Sequence, residues 1–333
     1  MMKKKYTVDI FNELKIFDIN INELRSNHFY KNALINRDFY YNKYKKYLNK
    51  NYNSCHLCKN KTSKIFITFK KYQLRKCLKC DVIFNNLNLK KFQKSDFFKE
   101  NKVNLKDFKE EMIKTFNYRK KNFGLERLEY IKKKIFPNQK KINVLDLGCG
   151  SGYFLSVLND NNIKNKGIDL DKSRINFCKS KKLNVELSHL SNEKNNSYDL
   201  TTMFDAIEHF YDPILELKNA ATKLKPKSYI LAYTPNINSL SFELMKSELN
   251  LFAVFRHICF FNEKSLKYLC KKTGLKIKSI EYFGLDVKDY FQAIEFKQNI
   301  ELNSRLKLFA DLTQSIIDKQ KLANSMRIIF QKV

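Results

Sequence analysis

Three of the seven glycines in this 333-residue chain, Gly148, Gly150 and Gly152, fall within five consecutive positions. They directly follow the apolar run Val144-Leu145-Asp146-Leu147, which reads as a short buried strand. In a chain so poor in glycine, the cluster marks a tight turn where backbone comes close to a ligand. After the turn, strands and helices alternate. Strands are predicted over 166–170, 183–187, 198–204 and 228–233, with helices over 153–158, 172–180 and 213–223. Beyond these lie a helix over 263–273 stopped by Gly274, a strand over 275–281, a helical region near 291–322 and a closing strand over 326–330. Strands alternating with helices imply an α/β fold with a mostly parallel sheet, helices on both faces.

The flanks of the glycine turn narrow the ligand. A P-loop needs Lys and Ser or Thr after its last glycine, and Tyr153-Phe154 stands there instead. A dinucleotide turn has the spacing GxGxxG and sets a pyrophosphate on a helix N-terminus. Here the spacing is GxGxG, with Asp146 two residues ahead of the first glycine. That carboxylate would repel a pyrophosphate and suit an ammonium or sulfonium charge. S-adenosylmethionine (SAM) carries both and has no phosphate. Asp169, 21 positions after Gly148 at the end of the second strand, is placed to accept hydrogen bonds from ribose hydroxyls. Asp171 reads better as the cap of the helix that starts near Lys172.

The segment Val144 to Gly152, followed by Gly167-Ile168-Asp169, resembles the first two motifs of class I SAM-dependent methyltransferases. Asp199-Leu200 through Asp205-Ala206-Ile207-Glu208-His209-Phe210 is similar to the family's fourth-strand segment. Leu224-Lys225-Pro226 resembles its turn before the fifth strand, with Lys227-Ser228 in place of glycines, and Thr234-Pro235-Asn236 matches the loop after it. His257, Phe260, Phe261 and Ser265-Leu266 resemble a segment found in a subset of these enzymes. The resemblance covers about 141–333. It implies a Rossmann-like sheet of seven strands, the last antiparallel, with SAM across the C-terminal ends of the first strands. It also implies a SAM site built from Asp146, Gly148, Cys149, Gly150, Gly152, Asp169, Leu170, Leu190 and Asp205. The third motif often carries an acid for the adenine amino group. The stretch 188–191 has none, which leaves backbone near Leu190 for that contact.

Of eight cysteines, only Cys55, Cys58, Cys77 and Cys80 form a pattern: two CxxC pairs, eighteen residues apart. That spacing is a zinc ribbon's, and four thiolates close a tetrahedral site, so the predicted zinc is structural. Cys149, Cys178, Cys259 and Cys270 read as packing residues. A ribbon ahead of this domain resembles a subset of the family that includes sugar C-methyltransferases. Residues 81–85 are similar to that subset's continuation, with its Gly and Pro missing here.

The formal charge of +30 raises the question of nucleic acid. Only 9 of the 64 basic residues are Arg, and Lys, Asn, Ile, Phe and Tyr abound while Gly, Pro and Trp are scarce. That is the composition AT-rich codons favour, and spread lysine makes a solvated surface. Nucleic acid is therefore a possible partner and not the favoured one. No apolar run approaches the ~20 residues of a membrane span, and the first residues lack the apolar core of a signal peptide, so a cytoplasmic location is expected.

Methyl transfer needs acceptor and methyl held in line, and a hydroxyl or activated-carbon acceptor gains from a general base. His209 and His257 are the candidates, with Glu208 to orient His209. The absence of an N/D-P-P-Y/F motif and of a cysteine placed for pyrimidine chemistry tilts the acceptor toward oxygen or carbon of a small molecule, a sugar or related biosynthetic intermediate. The rivals are an RNA methyltransferase gripping phosphate with ribbon and lysines, and a non-catalytic SAM-binding scaffold. The expected organisation is a basic arm over 1–50 (its aromatics loose helix, docking strip or base-stacking strip), a zinc ribbon over 51–90, a helical connector or lid over 91–140, and the methyltransferase domain over 141–333. Oligomeric state is left open.

Overall fold

A computed structural model describes residues 19–26, 28–49, 54–97, 105–106, 108–139 and 141–333. The first 18 residues of the predicted arm lie outside the described residues, as do 98–104, 107 and 140 of the connector.

A seven-stranded sheet forms the centre. Its strands are β4 (Asn143–Leu147), β5 (Lys164–Asp169), β6 (Val185–Leu187), β7 (Tyr198–Phe204), β8 (Leu224–Pro235), β10 (Leu275–Phe283) and β11 (Ser325–Lys332). The order is β10-β11-β8-β7-β4-β5-β6. β4 runs parallel to β5 and β7, whereas β11 is antiparallel to both β8 and β10. The central strands are apolar on both faces because helices cover both: Val144, Leu145, Leu200, Met203, Ile230 and Leu231 are all fully buried, with Asp146, Thr201 and Thr202 as buried polar exceptions. The crossover helices are α2 (Tyr153–Asp160), α3 (Lys172–Ser180), α4 (Pro213–Lys223) and α6 (Glu263–Thr273).

Helix ends follow local chemistry. Asp212 caps α4 through the Leu215 N–H, with Pro213 in the first turn. Asn262 and Ser265 make a reciprocal capping box on α6, and Gly274 ends it at φ 69°. The apolar region near 291–322 resolves into α7 (Asp286–Gln298) and α8 (Lys307–Lys319).

The cysteine segment folds as β1 (Ser63–Phe69), β2 (Tyr72–Cys77) and β3 (Ile83–Asn85). Its sheet takes a fourth strand from far along the chain, β9 (Cys259–Phe260), in the order β1-β2-β3-β9. The ribbon thus shares one core with the large sheet. Tyr72 packs against Phe255 with ring centroids 5.3 Å apart, and both are fully buried.

In the described part of 1–50, the stretch read as loose helix or a docking arm forms a helix packed on the core. α1 (Phe29–Tyr44) buries Tyr30, Tyr40, Tyr41 and Tyr44. Tyr44 meets Phe92, Phe97 and Phe255, and its hydroxyl donates to Asp96. Rings facing inward offer nothing to a nucleic-acid base; they lie there because each removes a large apolar area from water. α5 (Leu240–Met245) and α7 close this side, and Arg25 pairs with the buried Asp289 of α7. The connector is helical from Phe108 to Ile135, with π turns alternating with α turns.

Candidate functional site

Strand order reverses between β4 and β7, and an α/β sheet opens a crevice at the C-terminal ends of such a pair. The glycine turn lies there. Gly148, Gly150 and Gly152 take φ of 75°, 57° and 73°, the left-handed region where side chains are strained. At Gly152 a Cβ would also come within 2.5 Å of Leu183 Cδ1 and 2.8 Å of Cys178 Sγ, so no other residue fits.

Two carboxylates flank the turn from below. Asp146 is buried and accepts from Thr202 Oγ1 at 2.7 Å, and burial lifts its pKa to about 6. Asp169 accepts the Gly150 N–H at 3.0 Å on one oxygen and the Asp171 N–H at 2.9 Å on the other. Each oxygen keeps a further lone pair. Asp171 caps α3, accepting from Ser173 and Arg174 N–H groups. Asp205 follows β7 at the mouth of the crevice, exposed, with φ 53°. An aspartate held in that conformation beside a site is strain stored where geometry matters.

The other predicted cofactor residues divide. Cys149 is buried, with Gly167 packed against it, and Leu190 is buried in the core. Leu170 is 70% exposed at the end of β5.

Arg127 gives little signal in the sequence, because it sits among lysines. It is 7% exposed, its guanidinium lies 3.9 Å from the Phe204 ring centroid, it donates to the Tyr153 hydroxyl, and its Nε has no partner. A buried cation with an orphaned donor, facing Asp146 and Asp205 across the crevice, is electrostatically incomplete. In the segment Leu125–Tyr130 it stands between Glu126 and Leu128, a setting that reads as one more solvated charge.

At the end of β7, Glu208, His209 and His257 meet. Glu208 is fully buried; one oxygen accepts from Thr234 Oγ1 at 3.0 Å, and the other has no hydrogen-bond partner and lies 4.0 Å from His257 Nε2. The two imidazoles stand 5.0 Å apart. His209 Nδ1 is 2.8 Å from Arg256 O and His257 Nδ1 is 2.9 Å from Leu251 O. A carbonyl only accepts, so each Nδ1 carries the proton and each Nε2 is left with a lone pair. Burial lowers His209 to about 4 and His257 well below the usual value, and burial with the Asp205 charge raises Glu208. The two imidazoles are neutral at neutral pH, and the ligand atoms of all three groups lie within 4.8 Å of one another, close enough to share a proton or a cation.

The cysteine Sγ atoms also lie within 4.8 Å of one another, Cys55–Cys80 and Cys58–Cys77 at 3.5 Å. That is too long for a disulfide and near the roughly 3.8 Å edge of a tetrahedron with metal–sulfur bonds of about 2.3 Å. The Cys80 hydrogen bond pulls the Cys55 thiol down. The donor set and spacing fit a tetrahedral metal.

Residues 118–280 match the family of methyltransferase domains. That stretch is a SAM-dependent methyltransferase domain. The ubiquinone biosynthesis O-methyltransferase of Hydrogenovibrio crunogenus is 26% identical over 192 residues, 53% of this chain and 78% of that protein. The same-named protein of Nitrosospira multiformis is 26% identical over 176 residues, 48% of this chain and 73% of its own. A SAM-dependent methyltransferase from Archaeoglobus fulgidus aligns with a TM-score of 0.44 at 24% identity, over 65% of this chain and 99% of its own. The family match reaches back to residue 118, so the methyltransferase takes in the stretch that holds Arg127. The orphaned Nε of Arg127 and the buried Asp146 fit SAM's amino-acid end, which carries both signs of charge. Among the described residues, no helix is long and apolar enough to cross a membrane.

Proposed function

We propose that this methyltransferase moves a methyl group from SAM to oxygen or carbon of a small-molecule acceptor, a sugar or related biosynthetic intermediate. The observation that carries the reading is the buried cluster at the end of β7: two imidazoles, each with its Nδ1–H fixed and its Nε2 lone pair open, beside a Glu208 carboxyl whose pKa burial raises. Oxygen is favoured over carbon by the relatives, which are named O-methyltransferases.

SAM supplies a methyl group on a sulfonium centre. Asp169 would hold the ribose hydroxyls, Asp146 the methionine ammonium, and Arg127 the carboxylate through its unfilled Nε. His209 Nε2 would take the acceptor's proton as oxygen attacks, the Arg256 carbonyl holding the tautomer. Glu208, anchored by Thr234, would keep both rings in place. The cysteine cluster would hold a structural zinc.

The test is incubation of the full chain with SAM and a panel of hydroxylated small molecules, sugar nucleotides and phenols included, read by mass spectrometry. A gain of one methylene on a panel member is expected. Methyl transfer to RNA and to no panel member would overturn the reading.

SAM binding itself carries a pH signature. Burial raises Asp146 to about 6, so its carboxylate is lost as pH falls through that value. SAM affinity is expected to weaken by up to about tenfold per pH unit below this. Calorimetry checks it, with Asp146→Asn expected to flatten the dependence.

A further inference from the structure

The ribbon stands against the acceptor side of the site, and one buried side chain joins them. β3 pairs antiparallel with β9, Ile83 with Phe260 and Phe84 with Cys259. Next along β3, Asn85 is fully buried, and its amide donates to the His257 carbonyl at 3.0 Å. Its amide oxygen accepts from the Leu87 N–H and from His56 Nε2, the latter at 3.0 Å. His56 lies between Cys55 and Cys58, inside the first CxxC pair. At the other end of the same stretch, Asp81, the residue after Cys80, accepts from the Asn262 side chain at 2.7 Å.

The inner face of this segment is tied to the transferase. Ile258 N–H donates to the Glu208 carbonyl at 2.8 Å. Residues 257–262 are thus held from both sides, by the ribbon on one and by Glu208 on the other. An isolated two-residue strand has no stability of its own, and buried amide hydrogen bonds to a fixed partner define one geometry.

We propose that the ribbon clamps residues 257–262 against the acceptor pocket, and that Asn85 is the positioning residue that sets His257. The ribbon is then part of the site's wall, and its four cysteines act on catalysis through the chain Cys55–His56–Asn85–His257. The inference rests on the acceptor-side reading of His257. It leaves the SAM half alone: Gly148–Gly152, Asp146 and Asp169 belong to other elements.

Asn85→Asp tests this, because it keeps the shape and the acceptor facing His56 and loses the donor facing His257. Asn86→Ala is the control: the Asn86 side chain accepts from Gln73 N and donates to Lys71 O, both inside the ribbon. In full-length protein labelled with nitrogen-15 histidine, Asn85→Asp is expected to shift the His257 ring signals, with SAM affinity within about threefold of native. Once an acceptor is known, kcat falls by about tenfold or more, since small misplacements of reacting groups cost that much. Asn86→Ala leaves the His257 signals in place. Unmoved His257 signals in Asn85→Asp, or equal shifts in both variants, overturn the clamp. A native protein that fails to bind SAM overturns the functional reading instead, and the histidine signals still decide the clamp. If Asn85→Asp does not fold, Asn85→Ser with the same readout takes its place.

Discussion

Stripping metal from the cysteine cluster, by a chelator or by Cys77→Ser, is expected to unfold the ribbon. A structural zinc bound by four thiolates contributes on the order of 10–16 kcal/mol to the fold that holds it, comparable to or above the whole stability of an ordinary domain. The ribbon has little else of its own, since β1 and β2 form a hairpin with Ile65, Phe66 and Leu78 all exposed. Its buried residues, Tyr72, Leu74 and Phe84, pack against Phe252, Phe255 and Phe260. Loss of the cluster therefore uncovers the acceptor-side core, while the cluster around Val144, Phe154 and Leu155 stands apart. The expected result is rapid proteolysis within 54–85 and a fall in melting temperature of at least about 10 °C, with SAM binding largely kept. Unchanged protease resistance and melting temperature after chelation would show that the cysteines are packing residues.

Replacing His209 by Gln is expected to lower kcat by about 10²–10⁴, the usual contribution of general acid–base catalysis. Gln is close in size and polar, so the pocket keeps its shape and only the proton acceptor goes. The prediction comes from the tautomer: with Nδ1–H given to the Arg256 carbonyl, Nε2 holds the lone pair, and burial keeps it unprotonated at neutral pH. SAM affinity should stay within about threefold, because the glycine turn, Asp146 and Asp169 do not touch His209. Single-turnover kinetics with an identified acceptor separates the steps. A variant with native kcat would remove His209 from the chemistry and leave His257 as the acceptor of the proton.

Much of the SAM half is legible in the sequence because its signals are local. A glycine that must take positive φ, a carboxylate two residues before it and an aspartate ending the next strand all act within a few residues of backbone. The caps Asp212, Asn262 and Gly274 mark helix ends for the same reason. The cysteine pairs are legible because each CxxC brings two thiols together within one short turn, a spacing that fits a metal.

Arg127 is hidden, since an arginine in a lysine-rich helix looks like any solvated cation until the fold buries it beside Phe204. Nor does anything in 29–44 distinguish tyrosines facing a core from tyrosines facing a nucleic acid, because the decision belongs to Phe92, Phe97 and Phe255. β9 leaves no trace in the sequence: two residues make no periodic pattern, and the strand they pair with lies far earlier in the chain, Ile83 against Phe260 and Phe84 against Cys259.

What the chain's residues settle alone is the order of strands and helices, the positive-φ glycine turn and the paired spacing of the cysteines, because these depend on neighbours in sequence. What only folding decides is which charges lose water and which distant segments touch. Burial keeps the His209 imidazole neutral and leaves Arg127 with an orphaned donor, and folding joins Asn85 to His257. Solvation and packing are properties of the assembled core, and no short stretch of sequence contains them.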